Sequence, residues 1–126
     1  MNFYMKDDHF VMQTTDKNLP ISQNEAIGFR PYQLMVASIA GCSATVFKKI
    51  LLKMRMDIEN ITINTHVERD ESQRIESIHL HFILKGNDLP IEKVKKALNF
   101  AHKNCGMIQT VHQCIDVTET VEIHSI

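Results

Sequence analysis

Between Leu34 and Phe47 the chain carries ten apolar residues, and the other four are Ser38, Gly41, Ser43 and Thr45. Pro31 stands just ahead of this run, where a missing N–H and a fixed φ suit the first turn of a helix. A helix that is apolar on every side must be buried on every side. The run therefore predicts a long central helix from Pro31 to about Met54, on which the other elements pack. It becomes amphipathic only near its end, where Lys48, Lys49 and Lys53 are interspersed with Ile50, Leu51, Leu52 and Met54. The uncharged stretch Pro31–Phe47, at 17 residues and with Gln33, Ser38, Gly41, Ser43 and Thr45 inside it, is too short and too polar for a bilayer span. Met1–Gln13 has neither the basic start nor the apolar centre of a secretory signal. A soluble, cytoplasmic protein without a membrane partner is expected.

The flanking segments supply strands and shorter helices. Phe3–Met5 and His9–Gln13 read as a hairpin around a charged turn, and Thr15–Phe29, broken by Pro20 and Gly28, reads as irregular. Glu59–Arg69 alternates with Ile61, Ile63 and Val67 on one face, and Arg74–Lys85 alternates with Ile78, Leu80, Phe82 and Leu84 inward. With Asp70–Gln73 as the turn, these form an antiparallel hairpin with one wet face. Ile91–Lys103 is an amphipathic helix carrying Val94, Leu98 and Ala101 on its apolar side. Cys105–Gln113 reads as a short helix and Asp116–His124 as a last strand with Val117, Val121 and Ile123 inward. The order ββ–α–ββ–α–α–β defines an α+β fold, an antiparallel sheet packed on the buried helix. Glu119 shares the parity of Val117 and Val121. It marks either an edge position or bulge, or a buried carboxylate near the site.

A chain of 126 residues is enough for one domain, 1–126, with its own core. Its net charge of −1 removes the electrostatic footprint of a nucleic-acid binder. Three cysteines are too few for a disulfide scaffold and fit a reducing compartment. Cys42 lies in the middle of the buried helix, flanked by Gly41 and Ser43. It is either an inert core thiol or a nucleophile whose thiolate needs a basic neighbour or a hydrogen-bond donor, because the helix dipole fades within the first turn. Cys105 follows Asn104, a good N-cap, at what reads as the first position of the short helix Cys105–Val111. That setting favours a thiolate, unless the side chain merely buries the helix start. Cys114 reads as a packing residue. His112 with Cys114, and His79 with His81, have plausible ligand spacing, so a structural or metal-binding module is a minor alternative. Without a Cys-x-x-Cys or His-x-x-x-His pair, no metal or other cofactor is expected. His66, His102 and His124 read as solvated or core histidines.

The stretch Gly28-Phe29-Arg30-Pro31-Tyr32-Gln33-Leu34, running into Ala37-Ser38-Ile39-Ala40-Gly41-Cys42-Ser43-Ala44, resembles the proline-led helix and Ala-Gly-Cys core of the OsmC/Ohr family. Cys105, in Lys103-Asn104-Cys105-Gly106-Met107-Ile108, is similar to that family's second cysteine. Ile78–Gly86 resembles a strand of its YhfA-like branch. The resemblance implies the OsmC-like fold as an intertwined homodimer, and a thiol peroxidase for organic hydroperoxides. It makes Cys42 the peroxidatic cysteine and Cys105 the resolving one, with a dithiol reductant to reopen their disulfide. Family members place a Glu after the helix-start proline, where this chain has Tyr32. They also use an Arg from the N-terminal hairpin, and this chain has none before Arg30. Arg30, Glu25 and Tyr32 are therefore the candidate auxiliaries to Cys42. Cys105-Gly106 stands where the family has Cys-Pro. A non-catalytic dimer that binds a small molecule or senses redox state is the alternative.

Overall fold

The computed structural model describes residues 1–126. It contains β1 (Asn2–Met5), β2 (Phe10–Gln13), β3 (Asn18–Ile21), α1 (Pro31–Lys53), β4 (Asn60–Arg69), β5 (Ile75–Lys85), α2 (Ile91–Asn104), α3 (Gly106–Val111) and β6 (Asp116–His124). The chain divides into two compact units, Met1–Ala37 and Ser38–Ile126.

The first unit holds an antiparallel sheet in the order β1-β2-β3. The third strand falls in the segment whose composition reads as irregular, because Pro20 lies in its middle. An edge strand tolerates proline, since it can leave that N–H side unpaired. Gly28 then lets the chain return along β3. A Cβ there would lie 2.5 Å from the Pro20 carbonyl oxygen, while the Phe29 N–H donates to that oxygen at 3.2 Å and the Ser22 N–H donates to the Phe29 carbonyl at 2.9 Å.

The second unit is built on the sheet β4-β5-β6. Ile78, Leu80, Phe82 and Leu84 alternate along β5 and are fully buried, as their period requires. The β4–β5 pair is antiparallel and β6 joins β5 in parallel, so the sheet is mixed where alternation alone suggested antiparallel pairing. The reason is the connection. The chain leaves the far end of β5, and the crossover through α2 and α3 carries it back to the end of the sheet where β5 begins. Asp116 thus pairs with Ser77, and β6 runs alongside β5. Val94, Ala97, Leu98 and Ala101 form the buried stripe of α2. The α2–α3 junction lies one residue later than expected. Asn104 closes α2, its side-chain amide donating to the Phe100 carbonyl at 2.8 Å. Cys105 is extended (φ −81°, ψ 113°) and caps both helices.

Within the second unit, α1 buries Ile39, Ser43, Phe47 and Leu51 completely, one residue per turn on a single face. Phe47 meets Phe82 edge-on, with ring centroids 5.3 Å apart and planes at 79°, a geometry worth about 0.5–1.5 kcal/mol beyond area burial. Burial on every side does not hold within one chain, since Gly41, Thr45 and Leu52 are exposed. At 23 residues the helix is also longer than its uncharged part, and by length and composition it suffices to cross a bilayer. The buried stripe is that of a core helix. At its end, Met56 N–H reaches the Leu51 carbonyl at 3.0 Å and Arg55 turns left-handed (φ 60°), the cap geometry in which glycine is usual.

Candidate active site

Three segments of the second unit converge on one sulfur. Cys42 projects from the middle of α1 and is half-buried, Cys105 sits fully buried at the α2–α3 junction, and α3 begins immediately after it. The backbone N–H of Met107, the Cys105 thiol and, to a lesser degree, the N–H of Gly106 act on the Cys42 sulfur as hydrogen-bond donors that lower its pKa. Met107 and Gly106 are in the first turn of α3, where backbone N–H groups have no partner within the helix. These donors hold the Cys42 thiol below its ordinary pKa, the Met107 N–H foremost, against the opposing effect of desolvation.

Cys105 has the opposite character. Burial pushes its thiol up, and the negative sulfur of Cys42 adds to this, while the N–H groups of Ile108 and Met107 offset part of it. The helix start therefore serves the cysteine of α1 rather than the cysteine beside it in sequence. The thiolate expected at Cys105 is displaced because this side chain lies in the core and donates its proton to the neighbouring sulfur. A base–acid pair results: a thiol poised to ionise, with a protonated thiol in contact.

This pairing has a direct consequence for pH. Cys42 ionises below the ordinary thiol range and Cys105 above it, so alkylation of Cys42 by iodoacetamide rises at lower pH than alkylation of Cys105. Peptide mass spectrometry across pH 5–10 reads both curves, and the reverse order would contradict the geometry.

Close by, a carboxylate crosses from the sheet. The β5–β6 register runs without a bulge through Leu80–Glu119, so Glu119 keeps the inward parity of Val117, and its side chain is only 4% exposed. Ser43, the residue after Cys42, donates its hydroxyl to Glu119 Oε2 at 3.0 Å, and His102 Nδ1 lies 2.6 Å from Oε1. The sequence signal for this was the broken alternation at Glu119. His102 carried no signal, because its partner lies 17 residues away on another element. The Met107 and Gly106 donors carried none either, since any residue but proline offers a backbone N–H.

The remaining candidates have partners of their own. In the first unit Arg30 Nε is 3.5 Å from Glu25 Oε1, so these two auxiliaries pair with one another, and the Arg30 N–H donates to Gln33 Oε1 at 2.9 Å. Tyr32 is half-buried in the first turn of α1. Cys114 is exposed, which removes it from the core as a packing residue; it follows the end of α3, where the chain turns towards β6. His112 Nδ1 lies 2.8 Å from the Gln109 carbonyl. His79 pairs with Thr118 and Thr120 at 2.6 and 2.9 Å, and His81 pairs with Thr120 and Glu122 at 2.6 and 3.1 Å. The wet-face histidines thus bind the neighbouring strand.

The fold and site define an α+β protein in which two free cysteines from separate helical segments meet under a helix start. The chain belongs to the OsmC family: residues 22–120 match the family described as OsmC-like protein. It is similar to protein YhfA of Escherichia coli strain K12, 30% identical over 96 residues that cover 74% of this chain and 72% of YhfA. Among solved structures, the OsmC-like protein from Mycoplasma pneumoniae shares the fold with a TM-score of 0.87 at 14% identity, over 97% of this chain and 94% of that one. The organic hydroperoxide resistance protein OhrB of Bacillus subtilis shares it with a TM-score of 0.68 at 20% identity, over 96% of this chain and 95% of that one.

Proposed function

We propose that this chain is a thiol-dependent peroxidase that reduces organic hydroperoxides, with Cys42 as the peroxidatic cysteine and Cys105 as the resolving one. The observation that carries this is the depressed Cys42 thiol, hydrogen-bonded by the N–H groups of Met107 and Gly106 and touched by the Cys105 thiol. The Cys42 thiolate attacks one peroxide oxygen and the O–O bond breaks. The alkoxide takes a proton and leaves as the alcohol, while Cys42 becomes a sulfenic acid. The Cys105 sulfur then displaces water from that sulfenic acid, forming the Cys42–Cys105 disulfide, and a dithiol reductant reopens it by exchange.

The hydroperoxide resistance named for the Bacillus subtilis relative is consistent with a role in oxidative-stress defence. Free thiols suit a reducing, cytoplasmic compartment. We take residues 1–126 as one functional domain, since the family match runs from residue 22 to 120 across both compact units. The uncovered apolar face of α1, with Leu52 56% exposed, supports a homodimer in which a second copy covers it.

The test is a count of free thiols after one equivalent of tert-butyl hydroperoxide. Loss of two thiols and a Cys42–Cys105 peptide crosslink by mass spectrometry are expected; Cys42 remaining reduced overturns the assignment. The mutual pairing of Arg30 and Glu25, with Tyr32 in place of the family's Glu, favours a second reading. In it the dimer oxidises once, as a redox sensor or ligand-binding protein. Sustained consumption of hydroperoxide with dithiothreitol present separates a peroxidase from such a sensor.

A further inference from the structure

Glu119 is the buried polar group for which peroxide chemistry gives no task. A β-branched apolar residue would serve the inward face of β6 as well as Val117 and Val121 do, and a buried carboxylate is costly unless its oxygens are met. Here both are met, by Ser43 Oγ at 3.0 Å and by His102 Nδ1 at 2.6 Å. The reason for the carboxylate therefore lies in its partners. Ser43 directly follows Cys42 on α1, and His102 lies in the last turn of α2, three residues before Cys105. Glu119 thus links the two segments that carry the thiols, one through the neighbour of Cys42 and the other through the turn that precedes Cys105. Apolar packing in the same region is non-directional, whereas hydrogen bonds to a carboxyl group are directed.

We propose that Glu119 is a positioning residue for the cysteine pair: by holding Ser43 on one oxygen and His102 on the other, it sets the spacing of Cys42 and Cys105 and so the rate of disulfide closure. Closure is the step in which Cys105 sulfur bonds to Cys42 sulfur. The S–O bond of the sulfenic acid breaks, and hydroxide leaves as water with the Cys105 proton. Its rate follows the effective concentration of one sulfur at the other, which small misplacements reduce strongly. The inference rests on the proposed peroxidase function only for the identity of the oxidant.

The experiment compares the full chain carrying Cys114→Ser with the same chain carrying Glu119→Ala, Glu119→Gln or Val121→Ala. Dimedone trapping after tert-butyl hydroperoxide measures sulfenic acid at Cys42, and the crosslinked peptide measures closure. Glu119→Ala is expected to form sulfenic acid at the parent rate, to close at least about tenfold more slowly and to accumulate the dimedone adduct. Glu119→Gln keeps an oxygen for Ser43 and an N–H for His102, and restores most of the closure rate. Val121→Ala loosens the same strand without touching the network and leaves closure near the parent value. Parent-rate closure in Glu119→Ala, or equal slowing in Val121→Ala, overturns the proposal. If Glu119→Ala does not fold, Ser43→Ala and His102→Ala each remove one arm, and parent-rate closure in both overturns it. Diamide oxidises a close dithiol without any peroxide site, itself being reduced to the hydrazine. A parent protein that closes with diamide but not with hydroperoxide refutes the peroxidase while leaving the effect of Glu119 on closure measurable.

Discussion

On the proposed function, Cys42→Ser is expected to lower hydroperoxide turnover by about 10³-fold or more, as for loss of an activated nucleophile, whereas Cys105→Ser is expected to permit one rapid oxidation and then stall. The asymmetry follows from the two environments. Cys42 keeps the donors of the α3 start, the Met107 N–H first, whether or not position 105 carries sulfur, so the first oxidation survives in Cys105→Ser. A serine at position 42 has those donors but no nucleophile of comparable strength. Consumption of tert-butyl hydroperoxide with dithiothreitol measures the first variant, and dimedone labelling of Cys42 measures the second. Turnover retained in Cys42→Ser, or an intramolecular disulfide from Cys42 in Cys105→Ser, would reassign the roles. The second outcome would bring in Cys114, which is exposed and free.

Phe82→Ala unfolds the second unit or leaves it marginal. Phe82 is fully buried in β5 and contacts Phe47 of α1 edge-on at 5.3 Å. Removing a buried phenyl ring costs about 3–5 kcal/mol through lost transfer energy and the cavity left behind. That is a large share of the roughly 5–15 kcal/mol by which a domain is stable. The effect extends to the chemistry, because Phe47 lies five residues after Cys42 on the same helix and anchors it to the sheet. Urea unfolding followed by circular dichroism measures the loss, with Cys114→Ser, at an exposed position, expected within about 0.5 kcal/mol of the parent. A loss below about 1 kcal/mol at Phe82 would mean that the α1–β5 contact contributes little to the fold.

Much of the fold is legible along the chain because periodicity is a local property. The alternation of Ile78, Leu80, Phe82 and Leu84 encodes which side of β5 is buried, and Val94, Leu98 and Ala101 encode the apolar side of α2. What alternation does not encode is strand direction. Whether β6 runs with β5 or against it depends on the path of the connection, and this is why β6 proved parallel. Proline misled at β3 because its cost depends on whether a strand is central or at an edge, a property of the sheet and not of the residue.

By itself the sequence determined the order of the elements from α1 onward, the burial of β5 and α2, and the misfit at Glu119. Each is set by residues within a few positions of one another. The tertiary structure alone decided which thiol is lowered and which is raised, because the donors that lower the Cys42 thiol, the Met107 N–H first, lie more than sixty positions away in the chain. Backbone donors have no residue signature, and burial is a sum over many distant contacts. The helix start next to Cys105 in sequence therefore lowers the thiol of Cys42 instead.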